Sequence, residues 1–225
     1  MKPHIIFEDN HLFITIKPFN MPVQEDSSGD PDFLSEIKSF IKKRDKKPGN
    51  VFLGLVHRLD RPSGGIMIFA KTSKAASRLS DQFRRKIIEK KYLAVVEGVL
   101  DKKKGRLTDF LLKDSKKNMV SVVKASEKAS KKAILDYRIK ETQNNLSLAE
   151  ISLITGRAHQ IRVQFASRGF PVAGDMKYGK TMEKRKSELA LWSSTISFEH
   201  PVKKNRILFA APRPKKWPWE LFSQL

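Results

Sequence analysis

Apolar and polar residues alternate near the start of the chain as they do in strands: Ile5-Ile6-Phe7, a turn at Asp9-Asn10, then Leu12-Phe13-Ile14-Thr15-Ile16. Pro18, Pro22, Gly29 and Pro31 mark a loop. Asp30-Pro31 predicts the opening of a helix, with a cap and a proline in its first turn. Phe33, Leu34, Ile37, Phe40 and Ile41 follow at helical spacing, and the run 46–50 breaks the pattern. Apolar stretches at 52–56 and 65–70 predict two buried strands with a polar connection between them. Ser73 predicts the cap of a second helix, striped by Ala76, Leu79, Phe83 and Ile87, and 92–96 predicts another strand.

From about 105 to 155 the chain is mostly strand-like, with clear alternation at 133–139 and 146–151. The lysine-rich stretch 113–132 is expected to be a flexible excursion. A helix from about 158 to 168 stops at Gly169 and Pro171, and the tail returns to strands around 189–199 and 207–211. Strands outnumber helices and come in runs rather than in strict alternation with them. That predicts an α+β fold on a largely antiparallel or mixed β-sheet flanked by helices. No internal repeat is present, and a single domain over 1–225 is expected.

Charge changes this picture. Lys and Arg number 45 against 24 Asp and Glu, a net charge of +21, and such an excess favours a polyanionic partner, with nucleic acid first. The absence of Cys excludes disulfides, zinc ribbons and thiol nucleophiles. No apolar run approaches the roughly 18 residues of a membrane span. Residues 1–8 lack the apolar core of a signal peptide, so the expected compartment is the cytoplasm.

Two segments carry candidate chemistry. In 55–65 a strand runs into His57-Arg58-Leu59-Asp60-Arg61, and Gly64-Gly65 is expected to let the backbone turn before the next strand. By residue type this is a possible carboxylate site; a turn in which Asp60 pairs with Arg58 or Arg61 fits equally. In the second, Thr155-Gly156-Arg157-Ala158-His159-Gln160-Ile161-Arg162 is followed by Gly174-Asp175-Met176-Lys177-Tyr178-Gly179. A helix opening after a glycine with Arg and His in its first turns aims cations at a phosphate or carboxylate; a solvated basic face is the alternative.

Together, about a hundred residues apart, these segments resemble the signature motifs of RluA-type RNA pseudouridine synthases. Three more stretches match: Glu8-Asp9-Asn10 through Lys17-Pro18 and Met21-Pro22, Lys91-Tyr92-Leu93-Ala94-Val95-Val96-Glu97-Gly98, and Phe198-Glu199-His200-Pro201. The resemblance implies a pseudouridine synthase-like domain that isomerises uridine in rRNA or tRNA without metal or cofactor. It implies Asp60 as nucleophile, Arg162 as its ion-pair partner and Tyr92 as the platform for the base. Arg58, His57, Arg61, Arg157, His159 and Lys17 are candidate RNA contacts, Lys17 with Pro18 shaping the pocket edge. The basic runs 84–86, 102–104 and 113–132 are candidate phosphate contacts.

The chain departs from the family in having Ser63-Gly64-Gly65 for Thr-Ser-Gly and Ala158 for Thr, which removes hydroxyls that would brace those loops. The S4 RNA-binding module of many relatives is expected to be absent, the partner to be a structured tRNA or rRNA stem-loop, and the protein to be a monomer. The competing expectation is an RNA-binding protein or chaperone on the same scaffold, without activity.

Overall fold

Among the described residues, 1–179 and 188–223 of a computed structural model, the alternating and striped patterns form strands and three helices. In chain order these are β1 (His4–Glu8), β2 (Leu12–Lys17), α1 (Phe33–Arg44), β3 (Gly54–Leu55), β4 (Gly64–Ala70), α2 (Ser73–Arg84), β5 (Glu89–Glu97) and β6 (Lys104–Asp114). There follow β7 (Met119–Val123), β8 (Lys131–Gln143), β9 (Leu146–Leu153), α3 (Gln160–Ala166), β10 (Leu191–Glu199), β11 (Arg206–Ala210) and a 3-10 turn at Trp219–Leu221. The residues group into two compact units, Met1–Lys90 with Ser193–Pro212, and Lys91–Trp192 with Arg213–Leu225. The α+β expectation holds: every strand pairing with a described register is antiparallel.

In the first unit, β2 lies between β1 and β4, and β3 adds a short pair to β4. All seven residues of β4 are buried, which is why this stretch reads as a continuous apolar run. Helix α1 buries Phe33, Ile37 and Ile41, with the Phe33 ring edge-on to Phe69 at 5.9 Å. Its cap is Asp32 rather than Asp30, because the Asp32 carboxylate is the one that accepts the Ser35 N–H, at 3.0 Å. Likewise Thr72, not Ser73, caps α2. Gln82 of α2 exchanges two hydrogen bonds with the backbone of Glu199, and Asp9 accepts from His200 Nε2 at 2.8 Å. Sequence blocks from opposite ends of the chain therefore meet as scaffold.

Gly64 and Gly65 lie inside β4 rather than in a turn before it. Only Gly65 has a left-handed backbone, with φ +117°, and a Cβ there would stand 2.3 Å from the Ser193 carbonyl oxygen. The glycine permits close approach of β4 to β10 at the strand that follows the Asp60 loop.

The second unit is an antiparallel sheet in the order β5-β9-β8-β6-β7. The expected flexible excursion at 113–132 is instead largely an ordered hairpin: β7 pairs with β6 from Phe110↔Val123 to Asp114↔Met119. Val120 anchors it, buried with Leu111, Ala133 and Val163, while the lysines point outward. The apolar anchors were hidden by the lysines around them. Helix α3 is shorter than expected because His159, at φ 50°, is left-handed and cannot belong to it.

Replacing Gly65 by Ala combines a disfavoured φ with a backbone clash, and is expected to destabilise the protein by about 3 kcal/mol or more. Urea unfolding measures this; a loss below about 1 kcal/mol would show that the two strands can separate.

Candidate active site

The loop that carries Asp60 is held from beneath by a buried cation. Lys17, the last residue of β2, has no exposed surface, and its Nζ donates to the carbonyls of Pro18 (2.8 Å), Arg61 (3.0 Å) and Ser63 (2.7 Å). An ammonium has three N–H donors, and each finds an acceptor. Burial pushes the Lys17 ammonium down to about 7; the Asp60 carboxylate opposes this and Arg61 adds to it. The Ser63 N–H closes the turn onto the Asp60 carbonyl at 3.0 Å. The loop is thus braced through main-chain carbonyls, which bear no relation to the missing hydroxyl at residue 64.

The expectation that Lys17 contacts RNA is corrected by this burial: its charge faces inward. His57, expected to be structural or RNA-facing, is half-buried and makes inward contacts. Its Nε2 accepts the Ile68 N–H at 3.0 Å, its Nδ1 is buried, and its ring stacks on Phe83 at 5.2 Å. Burial holds the imidazole neutral, down to about 3 from an ordinary 6.5, with a smaller contribution from Lys90. Arg61 is exposed but engaged by Ser28, Asp30 and Asp26 of the preceding loop. Arg58 is exposed and Asp60 half-buried.

In the second unit, Tyr92 lies on β5 opposite Ile151 of β9, with 5 % of its surface exposed. Arg162 projects from α3 into the interior, where Asp175 grips it through two parallel bonds, Nε to Oδ2 at 2.8 Å and Nη2 to Oδ1 at 2.7 Å. Both side chains are almost wholly buried, at 5 % and 0 % exposure. The pair occupies two of the five guanidinium N–H donors. Asp175 Oδ1 also accepts the backbone N–H groups of Lys177 and Tyr178, so one carboxylate shapes the 175–179 turn and orients the arginine.

The Tyr178 ring stacks over Arg162 at 5.1 Å. Its hydroxyl accepts the Val120 N–H at 2.8 Å, leaving its own proton for His159 Nδ1 at 2.7 Å. His159, a candidate RNA contact, is thereby tied into the interior network. Gln160 braces the 155–160 loop, accepting from Thr155 Oγ1 and the Arg157 N–H and donating to the Ile134 carbonyl. Arg157 is exposed, with Nε on the Lys132 carbonyl at 3.1 Å. Asp175 and Tyr178 were missed as functional residues by the sequence reading, although both stand in a segment that carried the resemblance.

Asp175→Asn removes the charge that compensates a buried guanidinium and is expected to cost about 3 kcal/mol of stability. An Arg162→Met/Asp175→Leu double variant should recover part of this loss in urea unfolding; equal or greater loss would mean that the pair is not the source of the cost. His57 sets a pH dependence. The unfolded imidazole gains its proton near pH 6.5 and the folded one only near 3, so stability falls as pH drops through that window. The slope is at most roughly 1.4 kcal/mol per pH unit. Relative to wild type, His57→Gln should flatten the urea-unfolding profile between pH 6.5 and 4.

Comparison with known proteins places these residues in a family. The RNA pseudouridylate synthase family model matches residues 11–167, which include Asp60, Tyr92 and Arg162. A ribosomal large subunit pseudouridine synthase C of Buchnera aphidicola is 36% identical over 215 residues, 92% of this chain and 66% of the relative. The protein of the same name from Haemophilus ducreyi is 32% identical over 218 residues, 94% and 66% of the two chains. The chain thus spans just under two thirds of the length of these relatives. Human RNA pseudouridylate synthase domain containing 4 shares the fold, with a TM-score of 0.80 at 20% identity over 94% of this chain and 89% of that one. This chain belongs to the RNA pseudouridylate synthase family.

Proposed function

We propose that the protein isomerises uridine to pseudouridine in large-subunit ribosomal RNA, with Asp60 as the nucleophile. The observation that carries this reading is the family match across 11–167, a range that contains Asp60, Tyr92 and Arg162 in the segments that carry the sequence resemblance. The choice of RNA follows the names of the similar relatives. The net charge of +21 suits a polyanionic substrate, and the cytoplasm is the compartment this substrate implies.

The reaction cleaves the glycosidic C–N bond, turns the uracil while it is held, and joins C5 to the sugar; C5 gives up its proton and N1 gains one. It calls for a carboxylate that stays ionised and attacks or stabilises an electron-poor sugar carbon, as in glycosidases. Asp60, on a loop braced by Lys17, takes that role. Arg162 is the arginine that the resemblance pairs with that carboxylate, and the two bonds from Asp175 hold its fork in one geometry. Tyr92 offers a ring face along which the base turns without leaving, since stacking tolerates changes of orientation. The uridine must first leave its stack, at a few kcal/mol, and the exposed Arg58 is placed on the nucleophile's own loop to assist.

Asp60→Ala should abolish tritium release from RNA carrying [5-³H]uridine, by more than roughly a thousandfold, while RNA affinity changes by less than about threefold. Release at the wild-type rate would overturn the nucleophile assignment. Tight RNA binding by a wild-type protein that releases no tritium would favour the binding-only alternative.

A further inference from the structure

Among the basic runs, one is tied directly to the residues that hold Arg162. The stretch 113–132, which contains the turn of the β6–β7 hairpin, carries seven lysines against Asp114 and Glu127. Those lysines are exposed, and among the described residues none of them joins an ion pair. Some cations elsewhere are paired, Arg44 and Lys71 with Glu8, Arg84 and Arg85 with Asp81, and Arg106 with Asp136, whereas Lys42, Lys43, Lys47 and Lys74 are exposed like the hairpin lysines; what sets the hairpin apart is its attachment. Among the described residues, the positive charge of this stretch is opposed by no ion pair.

It is also fixed in place. Val120 N–H bonds to the Tyr178 hydroxyl at 2.8 Å, and Lys177 Nζ donates to the Asn118 carbonyl at 2.7 Å. Arg157 Nε reaches the Lys132 carbonyl at 3.1 Å, where β8 begins. The first two ties come from the 175–179 turn, the turn whose Asp175 grips Arg162 and whose Tyr178 ring lies over the guanidinium. A load placed on the hairpin is thus registered against the arginine through a single short turn.

We propose that the exposed lysines of the β6–β7 turn and of the connection that follows β7 are a docking surface for RNA phosphates flanking the target uridine, held in register with Arg162 by Tyr178. The proposal rests on RNA being the substrate, and it specifies which face of the protein the flanking backbone crosses. Phosphate contacts position a substrate without reading its sequence, and that is what a row of flexible lysines on a rigid support provides.

The test compares two charge-matched quadruple variants with wild type. One replaces Lys116, Lys117, Lys124 and Lys128 by Gln. The control replaces Lys42, Lys43, Lys47 and Lys74, which are also exposed. Each is titrated with a fluorescein-labelled, unmodified large-subunit rRNA transcript over a series of KCl concentrations. The hairpin variant should bind at least about tenfold more weakly and lose about 3 from the slope of log K against log [salt], with the control within about threefold of wild type. Equal weakening by both sets would reduce the effect to net charge and overturn the proposal, as would an unaltered slope in the hairpin variant. Tyr178→Phe keeps the ring over Arg162 but drops the ties to Val120 and His159. It should weaken binding in the wild-type background and add nothing in the hairpin variant. Additive losses would overturn the registering role of Tyr178. Affinity and slope are read without turnover, so a wild-type protein that binds but does not isomerise would sink the proposed reaction and leave the docking surface to be judged separately.

Discussion

A guanidinium taken out of water has to be met by a carboxylate of fixed geometry, and the Arg162–Asp175 pair is where the second unit meets that demand. Leaving either charge alone in the interior would cost several kcal/mol, so the pair constrains everything that positions its two ends. On one side it requires α3 to begin at Gln160, which the left-handed His159 enforces. On the other it requires the 175–179 turn, which Asp175 itself organises by accepting two backbone N–H groups. Tyr178 then closes the arrangement, packing its ring on the arginine and passing its hydroxyl between β7 and His159. A chemical requirement at one residue thereby fixes a helix start, a turn and the attachment of a hairpin.

The first unit solves the complementary problem with a different device. Its buried cation, Lys17, has three carbonyl oxygens around it, two of them from the loop that presents Asp60. Carbonyls attract an ammonium without neutralising it, so burial still pulls it down to about 7, with the Asp60 charge holding against that shift. This is a costlier way to bury a charge than an ion pair, and the return is a loop clamped by its backbone whatever side chains it carries. The replacement of Ser by Gly at 64 is tolerable for that reason. Side-chain hydroxyls are dispensable where the main chain is already held.

Much of the fold was legible because it follows from local pattern. Alternation located β1, β2, β8 and β9, and the apolar stripes located α1 and α2. What the pattern missed is equally instructive. The β6–β7 hairpin reads as a lysine-rich linker because its anchor is a single inward residue, Val120, whose partners Leu111, Ala133 and Val163 are distant in sequence. The cap of α1 was misplaced by two residues because 30–32 offers two aspartates and only geometry selects Asp32. Among site residues, Lys17 was a candidate RNA contact at the pocket edge, whereas its charge is fully buried against backbone carbonyls. No local signal separates a lysine that faces solvent from one that caps carbonyls more than forty residues away.

That distinction bears on how the charge of +21 should be understood. Cations in this protein fall into kinds set by what surrounds them. Lys17 and Arg162 are buried, with acceptors supplied by the fold, and their charge serves the loop and turn that hold them. Arg44, Arg84 and Arg106 sit in surface ion pairs, which solvent screening leaves weak. The hairpin lysines have neither kind of partner among the described residues, yet the hairpin beside them is attached through Val120 and Asn118 to the 175–179 turn. A flexible tail with the same charge would lose conformational entropy whenever a polyanion bound it. Lysines on short segments closed at both ends by paired strands have already lost part of that entropy in folding, so more of each phosphate contact appears as affinity. The position of a charge on the scaffold, more than the total, decides what a basic protein can hold in register.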